Sequence, residues 1–357
     1  MSLDRIVKLL LVFVPVALIA DFVLHLDPVL IFIFAALAVI PLADLVGEAT
    51  EELAVYTGPK LGGLLNATLG NAAELIITVF AINEGLIELV KASIIGSILG
   101  NLLLVLGLSI LLGGIKNGMQ TFDRRTAGLN ATMLILAVVA LMVPSLFDAA
   151  IQDNLAAEVG LSEGVAVVMI IIYGLSVIYA FTSGSPVTRD AAHHETKWTP
   201  RVAIGILIAA TLGIVFMSEI LVGAVEPVTQ QLGLTEFFIG IIIIPLVGNV
   251  AEHLVAVQVA LKNKMELSLA VSLGSSLQIA LFVAPVLVFI SLLMGGETLL
   301  LVFNSFELVA VAAASLVAAF IALDGESNWL EGAMLLAVYL MIALAFYFLP
   351  AATALPH

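Results

Sequence analysis

Apolar stretches long enough to cross a bilayer recur from one end of this chain to the other, and no other feature restricts its fold so strongly. Crossing about 30 Å of hydrocarbon takes roughly 20 helical residues. The stretches lie at 5–25, 28–57, 61–85, 90–114, 125–147, 163–183, 200–228, 235–262, 266–295, 301–323 and 329–349. Inside lipid every backbone N–H and C=O must be satisfied within the protein, which leaves helices or closed barrels, and continuous apolar runs of this length suit helices. Charged residues make up 11% of the chain against 62% hydrophobic ones, whereas a soluble domain carries about 25% charged residues. The expected fold class is therefore an all-α integral membrane protein of about eleven transmembrane helices. Several stretches exceed one crossing and hold internal Gly or Pro, which predicts tilted, kinked or broken helices.

Loop charges orient the spans. If the spans alternate, Arg5, Lys8, Lys60, Lys116, Arg124, Arg125, Arg189, Lys197, Arg201, Lys262 and Lys264 fall on one side and only Lys91 on the other. Basic loops stay in the cytoplasm. The N-terminus is thus expected inside and the C-terminus outside, in the plasma membrane of a prokaryote. A net charge of -15 argues against a nucleic-acid partner, and acids within apolar segments point to cations, with lipid as the surrounding solvent. The absence of cysteine excludes disulfides, Fe–S clusters and thiolate metal sites.

The chain also repeats itself. Gly-Asn-Ala-Ala-Glu-Leu at 70–75 returns as Gly-Asn-Val-Ala-Glu-His-Leu at 248–254, so that Gly70, Asn71 and Glu74 map onto Gly248, Asn249 and Glu252 at a displacement of 178 residues. The same displacement carries Gly96 and Ser97 onto Gly274 and Ser275, Glu48 onto Glu226 and Gly62 onto Gly240. One offset shared by three consecutive spans predicts a duplication: an N-terminal helix in 1–27, a five-helix repeat in 28–183, a cytoplasmic linker in 184–199 and a second five-helix repeat in 200–350. Five is odd, so the second repeat enters the membrane from the opposite side. Secondary transporters share this inverted arrangement and place their substrate sites near mid-membrane between the repeats.

An ionised group in hydrocarbon costs several kcal/mol and normally has a partner or a task. On a helix, residues three or four apart share a face, so Asn71 projects with Glu74 and Asn249 with Glu252. Gly70 and Gly248 stand to bring backbone carbonyls to the same place. The following spans add Ser97 and Asn101 from one half, Ser275 and Gln278 from the other; here the repeat is imperfect, because Asn101 maps onto Ile279. Carboxylate, amide, hydroxyl and carbonyl oxygens form a hard cage that suits Ca²⁺, which accepts about 6–8 oxygens, with Mn²⁺ as the alternative.

Gly-Asn-Ala-Ala-Glu-Leu-Ile and Gly-Asn-Val-Ala-Glu-His-Leu-Val-Ala-Val, each followed by a Gly-Ser helix, resemble the paired repeat motifs of the cation/proton exchangers of the Ca²⁺/cation antiporter superfamily. The resemblance runs from about residue 28 to 349. It implies ten core helices plus an N-terminal one, and Ca²⁺/H⁺ exchange by alternating access without a cofactor, so that the chain is not an enzyme. It makes Glu74 and Glu252 the central ligands, shared by Ca²⁺ and protons, near the carbonyls of Gly70 and Gly248. Asn71, Asn249, Ser97, Asn101, Ser275 and Gln278 line the site. Sodium-coupled relatives carry Ser-x-Pro-Glu where this chain has Asn-Ala-Ala-Glu and Asn-Val-Ala-Glu, which favours protons over Na⁺ as the coupled ion.

Three further residues stand near this route. Glu48 and Glu226 lie toward opposite membrane faces and are expected to admit cations or act in gating. His253 adjoins Glu252 and titrates near neutrality. With no cation bound, two carboxylates facing each other in low dielectric cannot both stay ionised cheaply, and repulsion with desolvation drives them to take protons. The rival readings are a Na⁺/Ca²⁺ exchanger and a passive cation channel, for which no Thr-Val-Gly-Tyr-Gly filter is present.

Overall fold

The computed structural model describes residues 3–151, 154–182 and 197–349, and nearly all of them are helical. We number the helices α1 (residues 3–22), α2 (Pro28–Gly58), α3 (59–69), α4 (Ala72–Asn83), α5 (Ile87–Asn117), α6 (Arg124–Ile151) and α7 (Leu155–Thr182). The later part holds α8 (Pro200–Leu232), α9 (Glu236–Gly248), α10 (Val250–Leu261), α11 (Met265–Met294), α12 (Ser305–Asp324) and α13 (Trp329–Tyr347). Among the described residues eight helices are long and apolar enough to cross a membrane, and α9 with α10 forms a ninth span bent by 61°. The chain is an all-helical integral membrane protein.

The expected spans correspond to these helices in order, but two of them are broken. The stretch 61–85 stops at Leu69 and restarts at Ala72; the stretch 235–262 stops at Gly248 and restarts at Val250. A third interruption falls at Gly58, where φ is 81°. That left-handed backbone is open to glycine and strained for other L-residues, and it separates α2 from α3. Helices α5 and α11 each contain a π-helical stretch, Gly100–Val105 and Ile279–Val283.

Helix α5 is the centre of the fold: Ile95, Ile98, Leu99, Leu102, Leu103, Leu106 and Ile110 are fully buried. Small residues let its neighbours come close, as is common between membrane helices. A Cβ at Gly332 of α13 would lie 2.3 Å from the backbone nitrogen of Leu111, and one at Gly96 would lie 2.1 Å from the carbonyl oxygen of Ile241 on α9. Helices α6 and α7 lie outside, presenting Val139, Leu146, Val168, Ile171 and Ile178 outward. Gly160-Leu161-Ser162-Glu163-Gly164 spells the Gly-x-Ser-x-Gly of hydrolase elbows. It sits inside α7, and Ser162 accepts the backbone N–H of Leu301 at 3.2 Å, so it packs helices rather than forming a strained turn.

Helix starts follow local chemistry. Asp123 precedes α6 and accepts the N–H of Thr126 at 2.6 Å, which holds its carboxyl below the usual value. Capping boxes open α12 and α13: Asn304 pairs reciprocally with Glu307, and Asn328 with Glu331. A two-residue antiparallel bridge, Gln120 to Ser327 and Thr121 to Glu326, ties the loop after α5 to the loop before α13.

Candidate cation site

Each expected carboxylate stands in the first turn of a short helix that follows a break in an apolar stretch. Glu74 is the third residue of α4 and Glu252 the third of α10. The two helices run from 72 to 83 and from 250 to 261, so both their ends keep the 178-residue displacement. Their N-caps match as well, with Asn71 at φ -100° and ψ 23° and Asn249 at φ -102° and ψ 3°. The sequence reading set Asn71 and Asn249 on a helix face beside the glutamates. They stand instead just outside the helices, at the breaks.

The breaks expose polar backbone. A helix end leaves up to four N–H or C=O groups without an intrahelical partner, which puts the carbonyls around Gly70 and Gly248 beside the N-termini of α4 and α10. Neither Asn71 nor Asn249 makes the usual cap bond with its side chain. Asn71 donates through Nδ2 to Oε1 of Gln278 at 2.6 Å; Asn249 donates to Oγ of Ser97 at 3.1 Å and to the carbonyl of Pro245 at 3.2 Å. Ser275 donates a hydrogen bond to Oε2 of Glu252. Across the two halves, a Cβ on Gly248 would meet the Glu74 carboxyl group at 3.3 Å, so glycine lets that side chain lie close against the backbone there.

What remains unpaired is informative. Oε1 of Glu74 and Oδ1 of both Asn71 and Asn249 are buried without a hydrogen-bond partner. Orphaned buried acceptors are rare and point to an ion or water. Glu74 is 3% exposed, and Glu252 is near enough to interact with it electrostatically. A helix N-terminus offsets at most about 2 kcal/mol of carboxylate charge, less than the several kcal/mol that desolvating such an ion costs. A bound cation or a proton must supply the balance. Among the described residues no group of three or more His, Cys, Asp or Glu side chains is placed to hold a metal, so a cation here draws on amide, hydroxyl and carbonyl oxygens as well.

The other expected residues are less closely joined. Asn101 is buried within the π-helical stretch of α5, one turn beyond Ser97, and its Nδ2 has no partner. Gln278 precedes the corresponding stretch of α11. Widened turns of this kind re-aim side chains and are common at functional sites. The Nε2 of His253 is buried and unpaired. Glu226 is exposed and accepts from Gln230 at 3.2 Å. Glu48 is not an open mouth for cations: Lys8 and Lys197 each approach its carboxylate to 3.0 Å.

The two short helices differ in burial. Along α4 the side chains of Ala72, Ala73, Glu74, Ile77, Thr78, Ala81 and Ile82 are buried; along α10 only Ala256 and Ala260 are. Glu252 and Gln278 are half-buried.

Comparison with known proteins agrees with this architecture. The family model described as sodium/calcium exchanger protein matches residues 28–182 and 202–348. The chain is 47% identical to the Ca²⁺/H⁺ antiporter of Aphanothece halophytica over 96% of either chain. It is 44% identical to the Ca²⁺/H⁺ antiporter of Synechocystis sp. over 97% of this chain and 98% of that one. Among solved structures, native YfkE superposes with a TM-score of 0.85 at 41% identity, covering 96% of this chain and all of that one.

Proposed function

Because the chain belongs to the sodium/calcium exchanger protein family, we propose that it is a secondary antiporter that exchanges Ca²⁺ for H⁺, with Glu74 and Glu252 binding both. The observation that carries this reading is the set of unpaired acceptors, Oε1 of Glu74 and Oδ1 of Asn71 and Asn249, at the paired helix breaks. A divalent cation of oxygen preference would satisfy all of them, with Ser97, Ser275, Asn101, Gln278 and the carbonyls near Gly70 and Gly248 completing the cage. Mn²⁺ fits the same donors.

When the cation leaves, two carboxylates remain in a poorly solvated space and attract protons. The site therefore holds Ca²⁺ or H⁺ and resists being empty, which is what exchange requires. No resident cofactor enters this scheme, and no covalent step occurs. Residues 28–183 and 200–350 act as inverted repeats around the site, joined by the linker at 184–199 and preceded by the helix in 1–27. With the N-terminus in the cytoplasm of a prokaryote and the C-terminus outside, α10 leads from the site to Lys262 and Lys264 on the cytoplasmic side.

The test is uptake by the purified chain in liposomes. An imposed pH gradient should drive Ca²⁺ inward against its own gradient, which a channel cannot do. Lowering the pH should raise the half-saturating Ca²⁺ concentration, because protonation removes the charge that binds the ion, and calorimetry in buffers of different ionisation enthalpy should count more than one proton released per Ca²⁺. A sodium gradient driving uptake equally well, with no proton release, would make the chain a Na⁺/Ca²⁺ exchanger instead.

A further inference from the structure

A groove runs between α6 and α7 on the outer face of the bundle, lined by Leu129 and Met133 from one helix and by Ile172, Leu175, Ser176 and Tyr179 from the other. Its wall is apolar, because the Ser176 hydroxyl is bonded to the carbonyl of Tyr173 at 2.7 Å. The inner faces of both helices are occupied: Ala131, Leu134 and Leu141 of α6 are buried, and Tyr173 of α7 stacks on Phe282 with ring centroids 5.3 Å apart. Leu129, Leu175 and Tyr179 stay 40–55% exposed.

The depth of the groove is that of one leaflet. At 1.5 Å per residue, Tyr179 lies about 5 Å inside the end of α7 at Thr182 and Ile172 about 15 Å inside it. On α6 the same count from Arg124 puts Leu129 at about 8 Å and Met133 at about 14 Å. Half of the hydrocarbon layer is about 15 Å. At the shallow end stands Arg125, which is exposed and four residues before Leu129, so that it shares the face of Leu129 and Met133. Its neighbour Arg124 turns elsewhere: a Cβ at Gly325 would lie 3.2 Å from the Cβ of Arg124. The Asp123 carboxylate is held by the N–H of Thr126 at 2.6 Å.

We propose that this groove binds a phospholipid with an anionic head group, its phosphate at Arg125 and one acyl chain lying between α6 and α7. An arginine meets phosphate with two parallel N–H bonds, and basic positions between membrane helices bind anionic head groups. The Tyr179 ring, amphipathic and near the membrane–water boundary where such rings concentrate, closes the head-group end. The linker after α7 is not the occupant, because residues 183–196 hold Val187 as their only large aliphatic residue. The inference needs a membrane and not the antiporter reading. With the orientation proposed above, the leaflet is the cytoplasmic one.

The test is native mass spectrometry of the purified full chain, with phosphatidylglycerol and phosphatidylcholine of the same acyl chains competing at equal concentration. Phosphatidylglycerol should be retained at least about fivefold over phosphatidylcholine, and Arg125→Gln should lower that ratio about fivefold, the weight of one basic residue near an anionic surface. Arg124→Gln should leave it within about twofold. Equal retention of the two lipids by the unaltered chain would overturn the proposal, and so would equal losses in the two variants, which would reduce the effect to general surface charge. Met133→Trp fills the deep end and should lower retention of both lipids; unchanged retention would remove the acyl seat. The chain has no cysteine, so Leu175→Cys reports on a second copy. Oxidised in phosphatidylglycerol bilayers, it should form no disulfide between chains, and a linked dimer would give the groove to that copy instead.

Discussion

Four helices of this protein begin with Asn followed three residues later by Glu, and they divide into two pairs. At Asn304 and Asn328 the motif closes on itself, each Asn side chain accepting from the first turn and each Glu accepting the N–H of its Asn. At Asn71 and Asn249 it does not close. The amides reach across to Gln278 and Ser97, no cap bond forms, and acceptor oxygens are left over. The difference lies in what surrounds each start. Asn304 and Asn328 follow loops and cap their own helices, whereas Asn71 and Asn249 stand at breaks against α11 and α5, whose Gln278 and Ser97 take the amide donors while both Oδ1 atoms stay unpaired. Where the capping motif does not close, buried acceptor oxygens are left without a partner.

The largest expected effect separates the pairs outright. Glu74→Gln and Glu252→Gln should each abolish Ca²⁺/H⁺ exchange in a protein that still folds, since the amide keeps shape but carries neither charge nor proton. Substantial transport by either purified variant would end the ligand reading and return that residue to the capping class.

Next in size is a contrast between equivalent glycines. A Cβ at Gly96 would strike the backbone of Ile241, whereas its counterpart Gly274 has nothing within 4 Å. Gly96→Ala should cost about 1–3 kcal/mol in stability and lower the melting temperature. Gly274→Ala should leave melting unchanged and slow exchange, as expected of inverted repeats that trade places and bring Gly274 to the close crossing in turn. Equal melting losses in both variants would show that the halves do not trade places.

Smaller still is the effect of removing a closed cap. Asn304→Ala or Asn328→Ala should cost about 1 kcal/mol of stability with unchanged exchange per folded molecule. Asn71→Ala and Asn249→Ala should do the reverse, holding stability and weakening Ca²⁺ binding in calorimetry. The smallest effect belongs to exposed Glu226: Glu226→Gln should change half-saturating Ca²⁺ on the external face alone, by less than about threefold, as a solvated charge is worth little. Oriented vesicles loaded on either side would measure it, and an equal shift on both faces would remove any sided role.

Much of this protein was legible in its residues because membrane solvation leaves few options. Apolar runs of this length in lipid must be helices, and a carboxylate repeated at a fixed displacement within them, as at Glu74 and Glu252, marks a site by its cost. Even the two breaks had a local signal, since Asn-x-x-Glu is how helices start; inside an apolar run it reads equally as one face of a continuous helix, and that ambiguity hid them. The tertiary structure alone decided the rest. Whether Asn71 caps its helix or bonds Gln278, whether Glu48 meets cations or Lys8 and Lys197, and whether Gly96 or Gly274 lies at the tight crossing all depend on groups tens to hundreds of residues away. Identical local motifs carry no record of those partners, because hydrogen bonds and close packing are settled by whichever donor or backbone the fold brings within about 3 Å.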